Sequence, residues 1–142
     1  MDSKIYNISN IKTKKLNSKM LDFLRYLAKT NNTIGLEISE RFNISKKTRY
    51  DRIKKLEGLN ILNGVSYIWN FKALGYWKEL YLFVEGIENK SLIDTGIIIE
   101  IVEFPKENTS FVKAELFDEN EEKDFKEAIH ERTVIYSMER LL

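Results

Sequence analysis

The sequence predicts an α+β protein, with an N-terminal winged helix-turn-helix followed by a small antiparallel sheet domain. Three observations predict it. Residues 34 to 58 hold a short helical segment, a turn at Asn43 and a longer basic helix, which is the helix-turn-helix layout. Residues 79 to 139 hold four strand-like runs and one helix with a cap. Charge divides along the same line. Residues 1–60 carry 14 Lys/Arg against 6 Asp/Glu, and residues 61–142 carry 9 against 16, although the net charge of the 142-residue chain is only +1. A basic half joined to an acidic half points to a polyanion partner for the first and a different role for the second.

The length suits one domain or two very small ones. With 43% apolar and 12% aromatic residues the chain can build a core. No apolar run approaches the roughly eighteen residues of a membrane span, and MDSKIYNISNIKTKK has no apolar stretch of the secretory kind. Cytoplasm is the expected location and no membrane partner is expected. With no cysteine there is no disulfide, thiolate metal site or cysteine nucleophile. The abundance of Ile, Lys and Asn fits an AT-rich prokaryotic genome.

Residues 1–15 are a basic segment without strong periodicity; Ile5, Ile8 and Ile11 fit a weak helical stripe or a strand. The winged helix-turn-helix is placed at 16–70. In NSKMLDFLRYLAKT, residues 17 to 30, the residues Met20, Phe23, Leu24, Leu27 and Ala28 share a helical face. IGLEISERF, residues 34 to 42, is a shorter helix with Leu36, Ile38 and Phe42 as its buried contacts. Asn43 then sits where a helix turns left-handed, and Ser45 is an N-cap for a third helix over about 46–58. Asn60 occupies a second left-handed site. Asn63-Gly64 is a turn signal between two short apolar runs, so strands directly after the basic helix predict a wing.

A linker is expected at 71–78, with the charge changing sign near Gly75, and the sheet domain at 79–142. Strands are expected at 79–87, 97–104, 110–117 and 133–139. Val112, Ala114 and Leu116 fall on one side of the third. Asp118 can cap a helix over DENEEKDFKEAIHER, with Glu121 three residues on as a capping box requires.

ISKKTRYDRIKKLEGLNIL resembles the recognition helix and exit of the Lrp/AsnC regulators, the leucine-responsive regulatory protein family. There a Ser N-cap leads to an Arg-Ile/Val pair, then Leu-Glu, then a Gly-Val-Ile turn; here these fall on Ser45, Arg52-Ile53, Leu56-Glu57 and Asn60-Ile61-Leu62. NFKALGY, residues 70 to 76, is similar to the family's Asn-Pro-Lys-Ala-Leu-Gly-Tyr, with Phe71 in place of Pro. The second half resembles the family's RAM domain, which implies a ferredoxin-like βαββαβ fold and a homodimer or higher homo-oligomer built through its sheet. It is a reduced version, because IENKSLIDTG leaves little room for a first crossover helix. PKENT replaces the Gly-rich turn of the family's small-molecule pocket, so amino-acid sensing is not carried over and a small-molecule effector is doubtful. Arg49 stands where the family often has a packed aliphatic residue.

The chemistry the residues themselves suggest is duplex-DNA binding. NISKKTRYDRIKKLE places Lys46, Lys47, Arg49, Arg52, Lys54 and Lys55 against only Asp51 and Glu57. A recognition helix lies in the major groove with its first residues at base edges. Lys46 and Lys47 are therefore expected at guanine O6 or N7, and Thr48 and Tyr50 at thymine methyls or phosphates. Arg49, Arg52 and Lys55 are expected on phosphates, with Ser45 at the helix start. Six neutralised phosphates would give a log–log salt slope of about −5. Lys72 and Tyr67 are further contacts at the wing. A two-fold dimer would present two such helices roughly 34 Å apart. The chain reads as a regulator of transcription.

Other readings are weaker. His130 is the single histidine, and its place late in a helix suits a surface residue. DENEEKD lacks the liganding spacing of a calcium loop, and no glycine-rich phosphate loop occurs. No enzyme, cofactor or metal site is expected. The aromatics Tyr67, Trp69, Phe71, Tyr76 and Trp77 read as packing. The alternative is a winged-helix protein–protein interaction module without DNA binding, which gives no reason to gather four cations in the first two turns of one helix.

Overall fold

Met20, Phe23, Leu24, Leu27 and Ala28 recur at helical spacing. In the computed structural model, which describes residues 3–30, 35–62 and 69–142, all five are buried on α1 (Ser18–Thr30). The Asn17 side-chain oxygen accepts the Met20 N–H at 2.9 Å and starts the helix. α2 (Gly35–Phe42) buries Ile38. Leu36, expected inside, is 68% exposed. The cause is angular: residues two apart lie about 200° apart around a helix, so one eight-residue helix cannot turn both toward the same neighbour. Phe42, four residues after Ile38, keeps to its face and packs 5.3 Å from both Phe23 and Tyr26.

Asn43 turns the chain at φ 52, and α3 (Lys46–Gly58) follows. Its fully buried residue is Leu56. Asn60, at φ 59, makes the second left-handed turn expected of it. The Asn63-Gly64 turn and Tyr67 lie outside the described residues, while Leu62 and Trp69 form an antiparallel bridge. The stretch expected to be a linker holds a one-turn helix, α4 (Phe71–Leu74). Asn70 caps it by accepting the Ala73 N–H, and Gly75, at φ 96, ends it. The chain forms two units, Lys12–Gly75 and Met1–Ile11 with Tyr76–Leu142. The N-terminal basic segment is thus divided between them.

The second unit is a five-stranded sheet. Its strands are β1 (Ser3–Tyr6), β2 (Lys78–Glu85), β3 (Ile98–Phe104), β4 (Thr109–Leu116) and β5 (Val134–Leu141), in the order β1-β3-β4-β2-β5 with every pair antiparallel. Between β2 and β3 lies a single turn, α5 (Lys90–Ile93); between β4 and β5 lies α6 (Glu119–Ile129). Without β1, this is the ferredoxin-like βαββαβ arrangement. Period-two alternation builds the core. Leu80, Leu82 and Val84 of β2 join Ile99, Ile101, Val112, Ala114 and Leu116, packed against Leu92 of α5 and Phe125 and Ile129 of α6. Asp118 caps α6 through the Glu121 N–H at 2.9 Å. The Glu121 carboxylate in turn accepts the Phe117 N–H at 2.8 Å, one residue earlier than a capping box places it.

A one-turn crossover leaves backbone groups that a longer helix would satisfy, and side chains from two distant segments take its place. Asn7, left-handed at φ 64, donates to the carbonyls of Ile93 and Ile97, both at 2.9 Å. Asn10 donates to Gly96 O. The N-terminal residues, left open between stripe and strand by their pattern, are therefore an integral part of the sheet unit. At the other end of the crossover, Arg132 donates to Glu85 O, Gly86 O and the side chain of buried Asn89 at 2.6–3.2 Å. Asn89 in turn donates to Ser110, whose hydroxyl donates to Gly86 O. Arg132→Ala is expected to cost about 2–3 kcal/mol, because it removes charge-assisted bonds and leaves the Asn89 oxygen buried without a donor. A fall in the urea midpoint at unchanged slope would measure it.

Candidate nucleic-acid interface

α3 begins at a cap built from two hydroxyls. Ser45 Oγ accepts the Thr48 N–H at 3.1 Å and donates to Thr48 Oγ1 at 3.0 Å. Both side chains are thus occupied in starting the helix. Ser45→Ala should cost about 1 kcal/mol, read by thermal unfolding, with the loss confined to helical signal and melting temperature.

Lys46 and Lys47 stand exposed in the first turn. Tyr50 is 58% exposed, and Lys54 Nζ lies 5.4 Å from the centre of its ring. Lys46, Lys47 and Lys54 each stand three or four residues from Tyr50 and form one stripe with it on the helix surface. Lys55 is exposed beside it. Among the described residues neither Lys46 nor Lys47 has an ion-pair partner.

The two arginines behave differently. Arg49 donates to Ser39 Oγ of α2 at 2.9 Å and is half-buried. A side chain at Gly35 would collide with its guanidinium, so the bare glycine makes the room. Arg52 lies over the ring of Phe23 on α1, 5.4 Å from its centre. Both were expected on phosphates; the structure turns both onto the helical scaffold. The signal was present in the spacing, since Arg52 and Arg49 stand four and seven residues before Leu56, on its face. Gly35 and Ile38 of α2, with Lys46, Lys47, Tyr50 and Ile53 of α3, line an open groove of about 630 Å³. The eight predicted residues therefore separate into a cap (Ser45, Thr48), an exposed stripe (Lys46, Lys47, Tyr50, with Lys55 beside it) and a packed pair (Arg49, Arg52).

A second surface, expected from the resemblance but with none of its residues singled out in the sequence, is the face of the sheet opposite the core. It carries Tyr81 and Phe83 of β2, Phe104 of β3, Phe111 of β4 and Tyr136 and Met138 of β5. Ring centres are 5.2–6.4 Å apart along Tyr81, Phe111, Phe83 and Phe104. Phe83, Tyr136 and Met138 are 37%, 60% and 49% exposed. At one end Glu79 and Glu115 stand directly opposite on β2 and β4, both buried. Lys113 Nζ lies 3.4 Å from each carboxylate. Tyr81 donates to Glu79 at 3.0 Å, and Arg140 stands 3.5 Å from it. Burial, then the hydrogen bond and charge of Glu79, push the Glu115 carboxyl up to about 8. Burial works against the charge of Glu79 as well. Its hydrogen bonds with Glu115 and Tyr81 and the charge of Lys113 outweigh that and hold it below the ordinary carboxylate value. The sequence signal was the alternation Phe111, Lys113, Glu115, which interleaves with the core residues of β4.

His130 is exposed at the end of α6, its Nδ1 2.7 Å from Glu127 O. Among the described residues no group of three or more His, Cys, Asp or Glu is placed to hold a metal ion, and no helix is long and apolar enough to cross a membrane.

No family model matches the chain, and no curated protein matches it. Solved structures that match include B. subtilis LrpC, at 16% identity over 90% of this chain and 94% of that one, with a TM-score of 0.38. E. coli AsnC matches at 14% identity over 89% and 91%, TM-score 0.33. An AsnC family transcriptional regulator from Agrobacterium tumefaciens matches at 10% identity over 89% and 90%, TM-score 0.34. These names belong to the family that the sequence resembles.

Proposed function

We propose that the chain is a transcription regulator of the Lrp/AsnC type that binds duplex DNA through α3 and self-associates through the exposed face of its sheet. The observation that carries the reading is the exposed stripe of α3. A capped helix holds Lys46, Lys47, Tyr50 and Lys54 in one row, with Lys55 beside it, while the opposite side is anchored by Leu56 and two arginines. Lys46 and Lys47 are assigned to base edges, Tyr50 to a thymine methyl or a phosphate, and Lys54 and Lys55 to phosphates. Arg49 and Arg52 fix the pose of α3 against α2 and α1. Ser45 and Thr48 hold its first turn, and backbone amides there remain available to a phosphate.

This reassignment changes the expected electrostatics. Two lysines per protomer, rather than six cations, are assigned to phosphates, so log affinity should fall with log salt at a slope of about −1.8 per protomer. Selection from random duplexes followed by a salt titration tests both parts. An enriched pseudo-palindrome with that slope supports the reading. Absence of any duplex binding at low salt would leave the interaction-module alternative standing in its place.

A further inference from the structure

A buried pair of carboxyl groups is a costly thing to place in an apolar sheet face. Glu79 and Glu115 are 6% and 4% exposed and share one lysine, Lys113. One oxygen of Glu115, Oε2, is buried with no hydrogen-bond partner. Two ionised carboxylates directly across a strand pair repel each other, and a single proton between them removes the conflict. We propose that the Glu79–Glu115 pair is a proton-binding site through which self-association of the sheet face responds to pH. This rests on the reading of that face as the one that meets a second copy of the chain.

The groups facing the pair come from every neighbouring strand. β2 supplies Tyr81 beside Glu79. β4 supplies Lys113. β3 supplies Glu100, the cross-strand partner of Lys113, and β5 supplies Arg140, the partner of Glu79. β1 carries Ser3 and Ile5 on this face and adds no charged side chain there. With Glu115 protonated, two cations, Lys113 and Arg140, balance two anions, Glu79 and Glu100. The surroundings of the pair are then neutral and mixed in sign, Glu85 adding one negative charge only at the far end of β2, so the pair brings no net repulsion to an isologous contact. That neutrality, beside the exposed aromatic row, is what favours a second copy as the occupant. Loss of the proton adds a negative charge to each of two facing surfaces. Lys113 and Tyr81 do not cancel it. Burial works against the Lys113 charge, but Glu115 and Glu79 outweigh it and its pKa is raised; that of Tyr81 is raised by burial and by Glu79.

The dissociation constant of the full chain should be flat below about pH 7. As pH rises past 8 it should increase by up to about tenfold per pH unit for each Glu115 that must take up a proton to associate. Sedimentation equilibrium between pH 6 and 9.5 measures it for the wild type, Glu115→Gln and Glu79→Gln, with circular dichroism establishing that each is folded. Glu115→Gln is expected to abolish the pH dependence. Glu79→Gln is expected to move its midpoint to lower pH, and it serves alone if Glu115→Gln does not fold. A carbon-13 titration of the wild-type glutamate carboxyls follows the proton directly. A dimer whose dissociation constant ignores pH, or an unchanged pH profile in Glu115→Gln, overturns the proposal while leaving the self-association reading intact. A monomer at every pH overturns both.

Discussion

Replacing Lys46 and Lys47 together by alanine should lower duplex affinity on the order of a hundredfold or more while leaving the salt slope near its wild-type value. The loss follows from two base-edge contacts worth about 1–3 kcal/mol each, and the slope is kept because neither lysine is assigned to a phosphate. Both side chains are exposed, so the melting temperature should stay within a degree or two of the wild type. The contrast with the arginines makes the test selective. Arg49→Ala and Arg52→Ala remove a bond to Ser39 and a contact over Phe23, so they should cost stability while leaving the salt slope near its wild-type value. If the two arginine variants weaken binding and flatten the slope at unchanged melting temperature, the assignment of roles along α3 is reversed. Fluorescence anisotropy at several salt concentrations, paired with thermal melts, separates these outcomes.

Wild-type stability should fall with rising pH, relative to Glu115→Gln, by about 1.4 kcal/mol per pH unit between about pH 5 and 8. In the unfolded chain Glu115 titrates near the ordinary glutamate value of 4.5, and in the folded chain burial and Glu79 raise it to about 8. Between these values the folded protein holds a proton that the unfolded chain has released. Folding then takes up a proton, and raising the pH disfavours it. Below the window both states are protonated and above it both are ionised, so the difference levels off at each end. Glu79 acts in the opposite sense, its folded carboxyl lying below 4.5. Its stabilising share is lost only as pH falls through the acidic range, outside this window. Urea unfolding of both proteins at matched concentration, at half-unit pH steps, gives the difference directly. Parallel curves for the two proteins would show that Glu115 keeps an ordinary affinity for protons in the fold.

The sequence by itself determined what local chemistry decides. Helical spacing marked the buried face of α1 residue by residue. A serine before a basic run marked the start of α3, and asparagines marked the left-handed turns at 43 and 60. Apolar runs marked four strands, and alternation marked the core side of β4. These are signals whose physics acts within about four residues. Where two short-range signals competed, as at Leu36 against Ile38, geometry in the eight-residue helix chose one. What only the tertiary structure decided involves partners far apart in the chain. Asn7 reaches the carbonyls of residues 93 and 97, and Arg132 reaches back to residues 85, 86 and 89. The N-terminal strand lies against β3, and Glu79 meets Glu115 across the sheet. Arg49 and Arg52 illustrate the division most clearly. Their charge suggested phosphate, but their direction was set by a glycine, a serine and a phenylalanine on two other helices. Charge is a property of the residue, whereas the direction in which a long side chain spends it depends on the surfaces that pack around it.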